Sequence, residues 1–125
     1  MNKEIIEISV RAVAININQT YRDDLSSDEL YDFTRGVWRL DRDRADNAKY
    51  AFSVYDGEIL EVYEIQKWAR ANTTEYVTGR EFTDEEKKTR FEFVGRIAND
   101  NVRDKFVGKL LPEKHSQNPI RYYKC

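Results

Sequence analysis

A chain of 125 residues with 40% hydrophobic, 35% charged and 13% aromatic residues has the composition of one soluble globular domain. Its net charge of −2 and pI near 5.5 exclude a global basic field around a nucleic-acid backbone, so any such contact must be local. One cysteine, Cys125, excludes an intramolecular disulfide and a cysteine-based metal site, and it fits a reducing compartment.

No apolar run approaches the roughly 20 residues that cross a bilayer, and Lys3, Glu4 and Glu7 break up any signal-like start. The expectation is a cytoplasmic protein with no membrane partner. A local excess of cations does occur from Asp100 onward. Arg103, Lys105, Lys109, Lys114, Arg121 and Lys124 outnumber Asp100, Asp104 and Glu113 there, which also fits an ordinary solvated surface.

Residues 5–17 alternate in two phases. Ile6, Ile8, Val10 and Ala12 share one parity, and Val13, Ile15 and Ile17 take the other. Such a change predicts a bulge or a bend between two sheet surfaces. Ser26 and Glu29 stand at capping-box spacing and predict a short helix with Leu30 and Phe33 inward, ended by Gly36. The segment 34–40 follows, then a charged loop over 41–47.

Residues 49–68 predict a β-hairpin. Two aromatic and β-branched runs meet at Asp56-Gly57, a dipeptide suited to a turn with φ > 0 at both central positions. A regular register sets Tyr55 opposite Glu58, Phe52 opposite Glu61 and Tyr50 opposite Tyr63. It puts Tyr50, Phe52, Val54, Ile59, Tyr63 and Ile65 on one face, with Glu61 among them.

Residues 71–79 read as loop, and Thr83 to Glu86 as a second capping box. Residues 90–98 alternate as a half-buried strand. Asn99 or Asp100 predicts the start of a last helix reaching Leu111, stopped by Pro112. A loop from His115 to Pro119 and a strand over 120–124 close the pattern. The order β, α, ββ, β, α, β argues for an α+β fold. The expected architecture is a five- or six-stranded curved mixed sheet closing into a small barrel, flanked by two or three short helices, in a single domain over 1–125.

The chemistry-bearing residues are few. His115 is the only histidine, and neither a metal cluster nor a phosphate-binding glycine loop is evident, so no cofactor is expected. Glu61 within an apolar face needs a partner, because an unpaired buried carboxylate is costly. One reading is a salt bridge to Arg35, Arg39 or Arg96; another is a pocket in which Glu61 accepts hydrogen bonds from a base. Trp38 lies beside Arg35 and Arg39, and Trp68 beside Lys67 and Arg70. Aromatic surfaces next to cations suit nucleotide stacking, and they suit core packing too. Gln117 and Asn118 carry both donors and acceptors for a base edge, though Asn-Pro is also a turn signal.

Taken together, the segments 34–38, 50–68, 90–95 and 117–122 resemble a group of small bacterial proteins. More distantly, the layout is similar to the PUA-like superfamily, which includes the EVE and ASCH domains. That resemblance implies a pseudo-barrel whose cleft receives RNA or a modified base, with residues 51–55 and 58–65 as its central strand pair. The functional expectation is a non-catalytic module binding a nucleobase, nucleotide or single-stranded nucleic acid. Its candidate residues are Arg35, Trp38, Arg39, Glu61, Trp68, Asn118 and Arg121. Two alternatives stand beside it: an accessory protein of phage or mobile-element type that binds a protein partner, and a hydrolase pairing Glu61 with Glu92.

Overall fold

The computed structural model describes residues 4–18, 21–71, 73, 74, 76, 81–112 and 119–125. The described chain runs β1 (Ala12–Asn16), α1 (Ser27–Arg35), β2 (Gly36–Trp38), α2 (Arg42–Asn47), β3 (Tyr50–Tyr55), β4 (Glu58–Arg70), α3 (Asp84–Thr89), β5 (Phe91–Ile97), α4 (Asp100–Phe106) and β6 (Ile120–Tyr123). The strands form one mixed sheet in the order β2-β5-β4-β3-β1-β6. The expected closure into a barrel does not occur. β2 and β6 are the two edges of an open sheet, and no ladder joins them among the described residues.

Among the described strands only β1 and β3 pair in parallel, Ala12 against Tyr50 through Asn16 against Val54. A parallel pair needs a crossover between its strands. Here α1, β2 and α2 supply it. β1 is flanked by β3 and β6 and is buried on both faces, Ala12 and Ala14 in one apolar cluster and Val13 and Ile15 in another. This explains the change of parity in residues 5–17 without any bulge in β1. Ile8, Ala12 and Ala14 join one apolar cluster with Tyr50, Phe52, Val54, Ile59, Val62 and Phe106, and Ile6 and Val10 pack against it. Val13, Ile15 and Ile17 join a second cluster with Ala45, Ala51, Tyr63, Trp68 and Phe93. α4 brings Phe106 to the first cluster, whereas Leu30 and Tyr31 of α1 and Ala45 of α2 belong with the second. The sheet is therefore the middle of three layers.

The hairpin turn forms as its sequence predicts, with φ of 50° at Asp56 and 81° at Gly57. Its register holds at Tyr55 opposite Glu58 and departs from the expected one farther along. Val54 pairs with Ile59 but Ser53 pairs with Glu61, so Leu60 is an extra residue, a β-bulge. Beyond it Phe52 faces Val62 and Ala51 faces Tyr63. The slip exchanges the two sides of β4: Val62 joins Ile59 and Phe52, while Tyr63 leaves them for the second cluster.

The helix starts follow their caps. Ser26 accepts from the Glu29 amide and the Glu29 carboxylate accepts from the Ser26 amide, each at 3.1 Å, and Thr83 and Glu86 repeat the box. Asn99 caps α4, which stops at Phe106, short of Leu111, just before Gly108 at a φ of 85°. The stretch expected as a charged loop over 41–47 is instead the helix α2, capped by Asp41 through the Arg44 amide. Gly36 does not end α1 in a left-handed turn; it is extended and opens β2 directly.

Two glycines separate conformational cost from steric cost. A Cβ on Gly57 would meet nothing within 4 Å, but its φ is 81°; a Cβ on Gly95 would lie 2.3 Å from the Glu64 carbonyl oxygen. In urea denaturation, Gly57→Ala should cost about 1 kcal/mol from backbone strain. Gly95→Ala should cost more, about 2–3 kcal/mol, because the β4–β5 ladder must shift to admit it.

Candidate functional site

Four of the seven candidate residues gather at one corner of the sheet, where β2, β5 and the end of β4 lie side by side. Register sets Trp38 opposite Phe91 and Phe91 opposite Arg70, a row across three strands. Trp38 is half-buried, and its indole Nε1 donates to the Thr34 carbonyl at 2.8 Å, which fixes the ring. Phe91 lies under two guanidinium groups, Arg42 at 5.4 Å and Arg70 at 5.3 Å from the ring centroid. Arg42 also donates to the Trp68 carbonyl at 2.8 Å and to Asp46 at 2.9 Å. Arg39 is exposed and pairs with Glu85 at 2.8 Å. Trp68 is 4% exposed and meets Phe93 edge-on at 5.3 Å, so both faces of its indole are covered by protein.

Arg35 underlies this corner. It is the last residue of α1, 3% exposed, and held between two carboxylates: Nε donates to Asp32 at 3.1 Å and Nη1 approaches Glu92 at 3.5 Å. Nη1 also donates to the Thr74 hydroxyl at 2.5 Å. Glu92 is fully buried and accepts from Thr73 at 3.4 Å, from Thr74, and from the Tyr76 hydroxyl at 3.2 Å. The Tyr76 ring stacks 3.7 Å from the Arg35 guanidinium carbon. Gly36 makes room for this, because a Cβ there would lie 2.1 Å from the Tyr76 hydroxyl. A buried ion pair is tolerated when its remaining donors and acceptors are met, and here Thr73, Thr74 and Tyr76 meet them.

The remaining candidates are elsewhere. Glu61 has a partner, but not the Arg35, Arg39 or Arg96 anticipated for it. Arg103 of α4 grips it bidentately at 2.7 and 3.1 Å, and the Val62 amide donates to it at 3.0 Å. Arg96 pairs instead with Glu64 at 3.2 Å. The hydrogen bonds to Glu61 hold Arg103 more firmly charged than a free arginine. Glu61 and Glu92 do not form a catalytic pair. Glu92 lies opposite Ala69, eight residues along β4 from Glu61, which is about 25 Å. Arg121 pairs with Ala14 on β6, at the opposite edge of the sheet from β2. Asn118, Gln117 and His115 lie outside the described residues. Among the described residues no group of three or more His, Cys, Asp or Glu could hold a metal ion, and no helix is long and apolar enough to cross a membrane.

Arg70 was noted in the sequence only as a cation beside Trp68, and Asp32, Arg42, Phe91 and the buried role of Glu92 were not singled out. For Arg42 the available signal was its closeness in sequence to Trp38, four residues earlier. Comparison with protein-family models, with curated proteins and with solved structures finds no match.

Two buried donors, the Tyr63 hydroxyl and the Trp68 indole N–H, have no partner among the described residues. Burial, then the nearby Glu61 carboxylate, push the Tyr63 hydroxyl well above its ordinary value of 10. A raised folded value means the associated stability is complete below pH 10 and is lost as pH rises beyond it, because the unfolded chain ionises first. Tyr63→Phe should therefore leave neutral-pH stability unchanged or raise it by about 1 kcal/mol. It should also flatten the alkaline loss in denaturation measured from pH 8 to 11. By contrast, Arg35→Ala strands two buried carboxylates and should cost about 3–5 kcal/mol. The exposed Arg39→Ala should fall within the error of the same urea titration.

Proposed function

We propose that this chain is a non-catalytic binding module for a nucleobase, nucleotide or short single-stranded nucleic acid, taken at the β2–β5–β4 corner. The observation that carries the reading is the cross-strand row Trp38–Phe91–Arg70, with Arg42 over the same phenylalanine and Arg39 adjacent to Trp38 in sequence. Sequence-tolerant recognition of bases combines an aromatic platform with guanidinium groups that extend the stack and meet phosphate. Trp38 is the stacking residue in this reading, because it is the less buried of the two tryptophans. Arg35 and Trp68 act beneath the surface, holding β2 and β4 in place. Glu61 has no part in ligand contact here, being saturated by Arg103 and the Val62 amide.

Glu92, the acidic partner anticipated for Glu61, lies eight residues along β4 from it, about 25 Å, and this favours binding over hydrolysis. The PUA-like resemblance supports a base or RNA as the ligand through the hairpin β3–β4, while the open sheet departs from that superfamily's barrel. An acidic chain favours a small ligand over a long polyanion. A cytoplasmic setting belongs to the same reading, since it keeps Cys125 reduced.

Tryptophan emission tests the proposal, because Trp38 is only partly buried whereas Trp68 is covered. Saturable quenching by a nucleotide or modified nucleoside should be abolished in Trp38→Phe while the Trp68 emission persists, with folding checked by circular dichroism. A panel of mononucleotides, nucleosides and short oligonucleotides that leaves emission unchanged at low salt would overturn it. The protein-partner reading would then lead, through the exposed side chains of Ile5, Tyr55 and Ile97.

A further inference from the structure

We infer that Arg70, with Arg42 beside it, forms a phosphate subsite, so that the ligand at this corner is a phosphorylated nucleotide and not a free base. The inference rests on the base-binding reading of the same corner. Arg70 is exposed, yet its guanidinium is restrained by the Phe91 ring at 5.3 Å and by donation from Nη1 to the Lys88 carbonyl. Both restraints leave its charge intact. No carboxylate is paired with it among the described residues, so Nε and Nη2 keep the donor fork that matches a phosphate edge.

Arg42 is held in the same manner, by the Phe91 ring and by the Trp68 carbonyl. Its one acidic partner is Asp46, across a half-exposed pair at 2.9 Å. An exposed pair of this kind contributes little, so an incoming phosphate competes with it readily. Two guanidinium groups thus stand about one aromatic ring, each held by a backbone carbonyl before any ligand arrives. Little side-chain entropy is left to lose on binding, which is the usual cost of phosphate capture by arginine. A carbonyl-bearing ligand without charge would leave this pair unanswered. A phosphate beside a base stacked at Trp38 answers both.

Isothermal titration calorimetry with three probes tests this: a nucleoside 5′-monophosphate, the matching nucleoside, and inorganic pyrophosphate. The wild-type protein should bind the monophosphate about tenfold more tightly than the nucleoside. Arg70→Gln should close most of that gap by lowering monophosphate affinity much more than nucleoside affinity, and should reduce the salt slope of nucleotide binding by about 1. Arg42→Gln should act in the same direction. Pyrophosphate binding that is lost in Arg70→Gln supports the subsite even if no nucleoside binds, in which case the base-binding reading alone fails. Equal wild-type affinity for nucleoside and monophosphate overturns the subsite and leaves base binding standing, as does a gap that survives Arg70→Gln. Silence from all three probes overturns both.

Discussion

A guanidinium group enclosed between two carboxylates, away from water, constrains everything around it. Arg35 can stay charged and buried only while Asp32 and Glu92 are both within reach and the leftover lone pairs are met by Thr73, Thr74 and Tyr76. That demand fixes where α1 stops, because Arg35 is its final residue, and it fixes the next residue as glycine, because the Tyr76 hydroxyl fills the space of a side chain. It also locks β2 against β5, since Gly36 pairs with Glu92. The row of Trp38, Phe91 and Arg70 follows from that lock: Trp38 lies three residues after Arg35, and Phe91 precedes Glu92. The solvent-facing corner is therefore shaped by a buried ion pair beneath it.

Much of the fold was legible because its signals are local. Ser26-Glu29, Thr83-Glu86 and Asn99 announce helix starts through bonds between residues three apart, and Asp56-Gly57 specifies its turn by backbone conformation alone. The bulge at Leu60 was not legible. Its cause lies outside the hairpin, in the choice of which β4 side chains enter each layer of the core, and a single inserted residue reverses every face beyond it. α2 escaped for a related reason: Arg42 to Asn47 has almost no apolar periodicity, and it is helical because Asp41 caps it and Ala45 packs beneath it. At the site, four candidates did converge. Their partners Glu92, Phe91 and Arg42 come from distant positions that only the tertiary fold brings together.

Glu61 and Glu92 show how the same physics resolves two buried carboxylates differently. Glu61 stood out in sequence as a charge in an apolar run, and α4 satisfies it with a bidentate arginine at the place where β5 has already ended. Glu92 looked ordinary in an alternating strand, yet it is the more deeply buried of the two. A carboxylate conspicuous by its neighbours in sequence marks a demand for a partner. It does not by itself mark chemistry.

The pairing of β1 with β6 has a bearing on how the chain reaches this state. β1 comes early and its second neighbour is the last strand, so one side of β1 presents a bare row of N–H and C=O groups until residues 120–123 have been synthesised. During translation the β3–β4 hairpin can form at once, and β5 can add to it, while β1 waits for the parallel crossover and then for β6. Long-range closures of this kind are slow and leave a sticky edge exposed meanwhile. The nascent chain is thus most vulnerable to association with its neighbours on a polysome in the interval between emergence of β5 and capture of β6.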